Sequence, residues 1–101
     1  MPNPDLTGKQ RRHLRSLANT LKATVHVGKG GVSDEVRASL EDEFSHRELV
    51  KLAINQNCEL PAKKVARDLA DAANAHWVQT IGHTVVLYRA AEDPEIVLPA
   101  P

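Results

Sequence analysis

The dipeptide Gly82-His83 does most to limit what this chain can fold into. It separates two six-residue runs, His76–Ile81 and Thr84–Arg89, both rich in β-branched and aromatic residues. Strands joined by two residues pair antiparallel, and glycine in the first position suits a type II′ turn. Trp77, Val78, Ile81, Val85, Val86, Leu87 and Tyr88 are expected to supply the core residues of this hairpin.

Upstream, strand patterns alternate with helical ones. Thr7 starts a helix with Gln10 as its capping-box partner, and Leu14, Leu17, Ala18 and Leu21 form one apolar stripe. Ala23–Val27 is short and β-branched, a strand. Ser33 can cap a second helix, with Asp34 and Glu35 placed for the dipole and Val36, Leu40 and Phe44 facing inward. Ser45-His46-Arg47 closes it, and Glu48–Ile54 is a second strand, followed by the polar loop Asn55-Gln56-Asn57. Pro61 fits the first turn of a third helix, whose buried face is Val65, Leu69 and Ala72 flanked by Ala66 and Ala73. Asn74 is suited to a left-handed helix end. Ile96-Val97-Leu98 is expected to make a short edge pairing. The order α-β-α-β-α-β-β implies crossovers, and so an α/β fold with a mixed sheet whose last pair is antiparallel. At 101 residues there is material for a single compact domain. Residues 6–98 are its expected span, with 1–5 and 99–101 as loose ends.

Between the first strand and the second helix lies Gly28-Lys29-Gly30-Gly31. A strand feeding a helix through such a turn offers free N–H groups and the positive end of a helix dipole, which suit a phosphate. Glycines let a backbone approach closely, and Lys29 adds a mobile charge. Gly-x-x-Gly is the spacing by which some RNA-binding modules clamp a nucleic-acid backbone.

Net charge is zero, but it is unevenly spread. Residues 1–31 hold six basic groups (Lys9, Arg11, Arg12, Arg15, Lys22, Lys29) against one acid, Asp5, while residues 32–101 hold seven against twelve. Five of the six fall around one flank and the back of the first helix with no acid interleaved, so they repel one another with nothing to offset it. A bound polyanion accounts for such a stripe. The second helix is acidic through Glu41, Asp42 and Glu43, so only its N-terminal end can face that polyanion. Lys51 and Arg89 are further candidates on strands, and His26 and His83 are candidates to lie near the RNA. Lys63, Lys64 and Arg67 are opposed by Asp68 and Asp71 and read as solvated surface.

Other chemistries find little footing. Gly28-Lys29-Gly30-Gly31 lacks the order of a nucleotide phosphate loop, so a nucleotide-handling enzyme is the weaker alternative. The five histidines (His13, His26, His46, His76, His83) have no ligand-like spacing. No cofactor or metal is expected. One cysteine, Cys58, allows no internal disulfide, Met1–Asp5 is short and polar, and no apolar run approaches membrane-spanning length. A cytoplasmic monomer is the expected state.

Four segments in order give a family resemblance: Leu6-Thr7-x-Lys9-Gln10 with Leu14-x-x-Leu17-Ala18; Val27-Gly28-Lys29-Gly30-Gly31-Val32; His46-Arg47-Glu48-Leu49-Val50-Lys51; and Ile81-Gly82-His83-Thr84-Val85-Val86-Leu87-Tyr88-Arg89. Together they resemble the stand-alone bacterial CRM domain (YhbY-type) proteins over residues 6–98. Where that family usually ends its third helix in glycine, this chain has Ala73-Asn74-Ala75. The resemblance implies a four-stranded mixed sheet similar to the C-terminal domain of a bacterial translation initiation factor. It implies RNA binding through Gly28, Lys29, Gly30 and Gly31, and association with precursors of the large ribosomal subunit, their RNA and ribosomal proteins. The remaining alternatives are a general RNA chaperone, or a protein-interaction module using the acidic helix.

Overall fold

Thr7 and Gln10 cap the first helix reciprocally. Gln10 N–H donates to Thr7 Oγ1 and Thr7 N–H to Gln10 Oε1, each at 3.1 Å, which satisfies two of the donors a helix start leaves open. In the computed structural model, which describes residues 6–100, α1 runs Gly8–Ala18. Then follow β1 (Val25–Val27), α2 (Asp34–Phe44), β2 (Leu49–Ile54), α3 (Ala62–Ala73), β3 (His76–Ile81) and β4 (Thr84–Tyr88). The order of elements is the one the sequence implies.

The sheet runs β1-β2-β4-β3. β1 and β2 are parallel, joined by α2 as a crossover; β4 is antiparallel to both β2 and β3. The hairpin therefore folds back so that β4 fills the place between β2 and β3. Gly82 has φ +56 while His83 stays out of the left-handed region, as a type II′ turn requires.

Alternation along β2 sorts the core into two layers. Val50, Leu52 and Ile54 join Val36, Leu40, Phe44, Val65 and Leu69 under α2 and α3. Leu49 on the other face joins Leu14, Ala18, Val78, Val86 and Tyr88 under α1. Ser33 caps α2, its Oγ accepting from Val36 N–H at 3.2 Å, and Asn74 ends α3 with φ 53.

Several local expectations need correction. α1 stops at Ala18, with Asn19 as its end residue, so Leu21 and Lys22 lie beyond it and Leu17 is exposed. Pro61 is the residue before α3 rather than within its first turn, and the buried position there is Ala70, not Ala72. Ala70 and Ala72 stand two residues apart on nearly opposite faces, and being the same residue they give no compositional sign of which is buried. Trp77 and Ile81 are exposed instead of buried, because β3 is an edge strand and its register shifts between Trp77 and Gln79. Ile96–Leu98 forms no strand. That segment is pinned instead by Glu48, whose carboxylate accepts from the N–H groups of Ala91 (3.0 Å), Glu95 (2.7 Å) and Ile96 (2.8 Å), while Ile96 and Leu98 pack against the α1 layer. Of the expected loose ends, residues 1–5 and 101 lie outside the described residues.

Candidate nucleic-acid interface

The glycine loop sits at the end of the sheet where β1 and β2 finish. Gly31 N–H donates to Gly28 carbonyl at 2.9 Å, closing a tight turn, and Ser33 N–H donates to Gly31 carbonyl at 2.9 Å. Asn55 N–H binds Val27 carbonyl at 2.7 Å and Ile54 N–H binds His83 carbonyl at 2.7 Å, so the Asn55–Asn57 loop and the hairpin tip stand at the same end. Among the described residues, the N–H groups of Lys29, Gly30 and Val32 meet no protein acceptor.

The glycines of the loop are not equivalent. Gly31 has φ +61, and a Cβ there would stand 3.0 Å from Leu60 Cδ1, so the fold itself requires glycine. At Gly28 the nearest atoms to a Cβ are Asn55 Nδ2 at 3.7 Å and Asn57 Oδ1 at 3.9 Å; at Gly30 it is Ser33 Cβ at 3.9 Å. Both would accept an alanine in the free protein. Their bareness leaves the loop backbone and its open donors approachable from outside. The start of α2 contributes less than its dipole suggests, because Ser33 already caps it and Asp34 and Glu35 stand in its first turn.

The basic residues divide into two groups. Lys9, Arg12 and Arg15 are exposed along α1, Lys22 is exposed in the segment after it, and Lys29 is exposed at the loop tip. Arg11 turns inward. Its Nη2 donates to Leu6 carbonyl at 3.2 Å and its guanidinium lies over the Trp77 ring. Lys51 Nζ donates to the carbonyls of Ala18 (3.3 Å) and Leu21 (3.2 Å), securing the end of α1 to β2. Arg89 binds both oxygens of Glu41 and the carbonyl of Ala73, with Phe44 beneath it, on the opposite side of the sheet from α1. Lys51 and Arg89 are thus committed to the fold. Along the chain, the exposed α1 cations lead to the glycine loop through the connector after Ala18 and the three residues of β1.

Two features were not legible as parts of a site. On the face that α1 covers, register aligns His26, Ala53, Thr84 and Ile81 across all four strands, and α1 stops short of this row. His26 and Ile81 are exposed and the two between them half-buried, so an open shelf lies beside the glycine loop. Asn55 and Asn57 border Gly28, a role their polar composition alone hinted at. Among the described residues no three His, Cys, Asp or Glu side chains gather as a metal site, and no helix is long and apolar enough to cross a membrane.

Comparison with known proteins bears on the fold and the family. A Bacillus subtilis protein named as the probable RNA-binding protein YqeI is 44% identical over 95 residues, covering 93% of this chain and 99% of that one. An RNA-binding protein of Haemophilus influenzae is 34% identical, covering 93% and 95%. The solution structure of a hypothetical Staphylococcus aureus protein, itself described as a candidate RNA binder, superposes with a TM-score of 0.81 at 39% identity, covering 93% of this chain and 99% of that one. The model of the CRS1/YhbY (CRM) domain matches residues 6–89, and the chain belongs to that family.

Proposed function

We propose that this protein binds RNA without catalysing a reaction, holding the backbone at Gly28–Gly31 and along the exposed cations Lys9, Arg12, Arg15 and Lys22. The observation that carries the reading is the pair Gly28 and Gly30: both have room for a side chain and carry none, beside Lys29 and three open N–H donors. Relatives named for RNA binding support the same partner. Phosphate contacts of this kind are insensitive to sequence and give an affinity that falls steeply with salt.

The cellular target in this reading is the precursor of the large ribosomal subunit, its RNA and neighbouring ribosomal proteins, met by a cytoplasmic monomer; this part rests on the family resemblance. Sedimentation of a lysate through a low-salt sucrose gradient tests it. Co-migration with large-subunit precursors is expected, and confinement to the top of the gradient would remove the ribosomal part. A docking role for acidic α2 is weaker, since Asp34 pairs with Arg37, Glu43 with Arg47 and Glu41 with Arg89. Partners captured through that helix would survive nuclease treatment; RNA-borne ones would not.

A further inference from the structure

Trp77 is the chain's one tryptophan, and it stands 43% exposed on edge strand β3. So open a ring forgoes much of the free energy its burial would supply. It is nonetheless held in place. Its Nε1–H donates to Thr80 Oγ1 at 2.9 Å, and the Arg11 guanidinium lies over the ring, 5.2 Å from its centroid. Arg11 is anchored in turn by Leu6 carbonyl, and its buried Nε has no partner among the described residues. The register shift between Trp77 and Gln79 interrupts the alternation that would have turned the ring regularly with its neighbours.

An ordered, open aromatic ring beside a fixed guanidinium is the arrangement that holds unpaired bases, since every base offers a π face and arginine adds a cation–π contribution. We infer that Trp77 is a base-stacking platform and that the RNA this protein holds is single-stranded; the inference rests on the RNA-binding reading above. Arg11 belongs to the helix that presents Lys9, Arg12 and Arg15 to solvent, so phosphates following those cations pass close to the ring. From Trp77, β3 leads past Ile81, 65% exposed, to the hairpin tip at the same sheet end as the glycine loop. That path is about 13 Å along the strand and about 14 Å across three strand spacings. A strand gripped by its backbone at the loop reaches Trp77 within a few nucleotides. Bases in a duplex are stacked on one another and cannot offer a face to the ring.

The lone tryptophan makes the test direct. Its emission is followed during titration with unlabelled oligoadenylate and with a duplex RNA of equal length. Binding is measured in parallel by polarisation of fluorescein-labelled oligoadenylate, for the native chain, Trp77→Ala and Trp77→Phe. Quenching that saturates with oligoadenylate and is absent with duplex is expected. Trp77→Ala should bind about 5- to 150-fold more weakly, with Trp77→Phe recovering most of the loss. Unchanged emission during binding that polarisation registers, or equal affinity for the native chain and Trp77→Ala, would overturn the platform and leave the RNA reading standing. Equal quenching by duplex would overturn the single-strand preference. Failure of every RNA to bind would end both.

Discussion

The guanidinium of Arg89 grips both carboxylate oxygens of Glu41, at 2.8 and 3.1 Å, across 48 residues of chain. Its Nη1 also donates to Ala73 carbonyl at 2.9 Å, near the end of α3, and its carbon lies 4.9 Å from the Phe44 ring centroid. One side chain so ties the end of β4 to both helices of one layer. Glu41 is 62% exposed at its side chain, so solvent screening leaves the ion pair a small share of this; the carbonyl bond and the packing on Phe44 carry the rest.

Arg89→Ala is therefore expected to lower stability by about 1–2 kcal/mol, read from denaturant midpoints at constant slope. Its affinity for RNA should stay native once measured where the variant is folded. A loss of affinity without a loss of stability would return Arg89 to the RNA surface.

The glycine loop separates stability from binding. Gly31→Ala forces a positive φ on alanine and presses a Cβ onto Leu60, at a cost of about 1–2 kcal/mol. Gly30→Ala is expected to keep native stability, because space and backbone both permit it, and to weaken RNA binding by blocking approach. Thermal unfolding should thus separate the two variants, and RNA titration should show that Gly30→Ala loses affinity at native stability.

Glu48 makes the docking of residues 91–96 depend on pH. Burial alone would raise its pKa, but the three N–H groups donated to the carboxylate outweigh it and hold the pKa below its ordinary value of 4.5. A carboxylate with a depressed folded-state pKa stabilises the fold above its unfolded pKa, and that contribution is lost as pH falls through the folded value. The C-terminal segment is expected to detach on acidification below about pH 4.5, visible as faster amide exchange at Glu95 and Ile96. Glu48→Gln puts an amide donor against N–H groups, so it should expose this segment at neutral pH at a cost of about 1–3 kcal/mol.

What could be read from the sequence was local. The Thr7–Gln10 box, the Ser33 cap, left-handed Asn74 and the Gly82 turn each depend on a few adjacent residues whose chemistry admits one geometry. The glycine loop and the exposed cations of α1 were legible for the same reason. What escaped depends on partners far along the chain. Lys51 meets Ala18 33 residues away and Glu48 meets Ile96 48 residues away, contacts that no spacing rule contains. Trp77 and Ile81 followed the alternation of buried strands, but that pattern cannot tell an edge strand from a central one. Arg11 looked like its neighbours on the basic stripe until a ring from β3 was found beneath it.

In the proposed complex, Lys29 and the exposed cations of α1 hold RNA phosphates. The most direct measurement is the affinity of Lys29→Glu combined with Arg12→Glu for RNA across a series of salt concentrations. Both side chains are exposed and take part in no ion pair among the described residues, so stability should be native. Affinity at moderate salt should fall by at least about tenfold, and the slope of log affinity against log salt should flatten by about 1–2. Native affinity with a native slope would contradict the assignment.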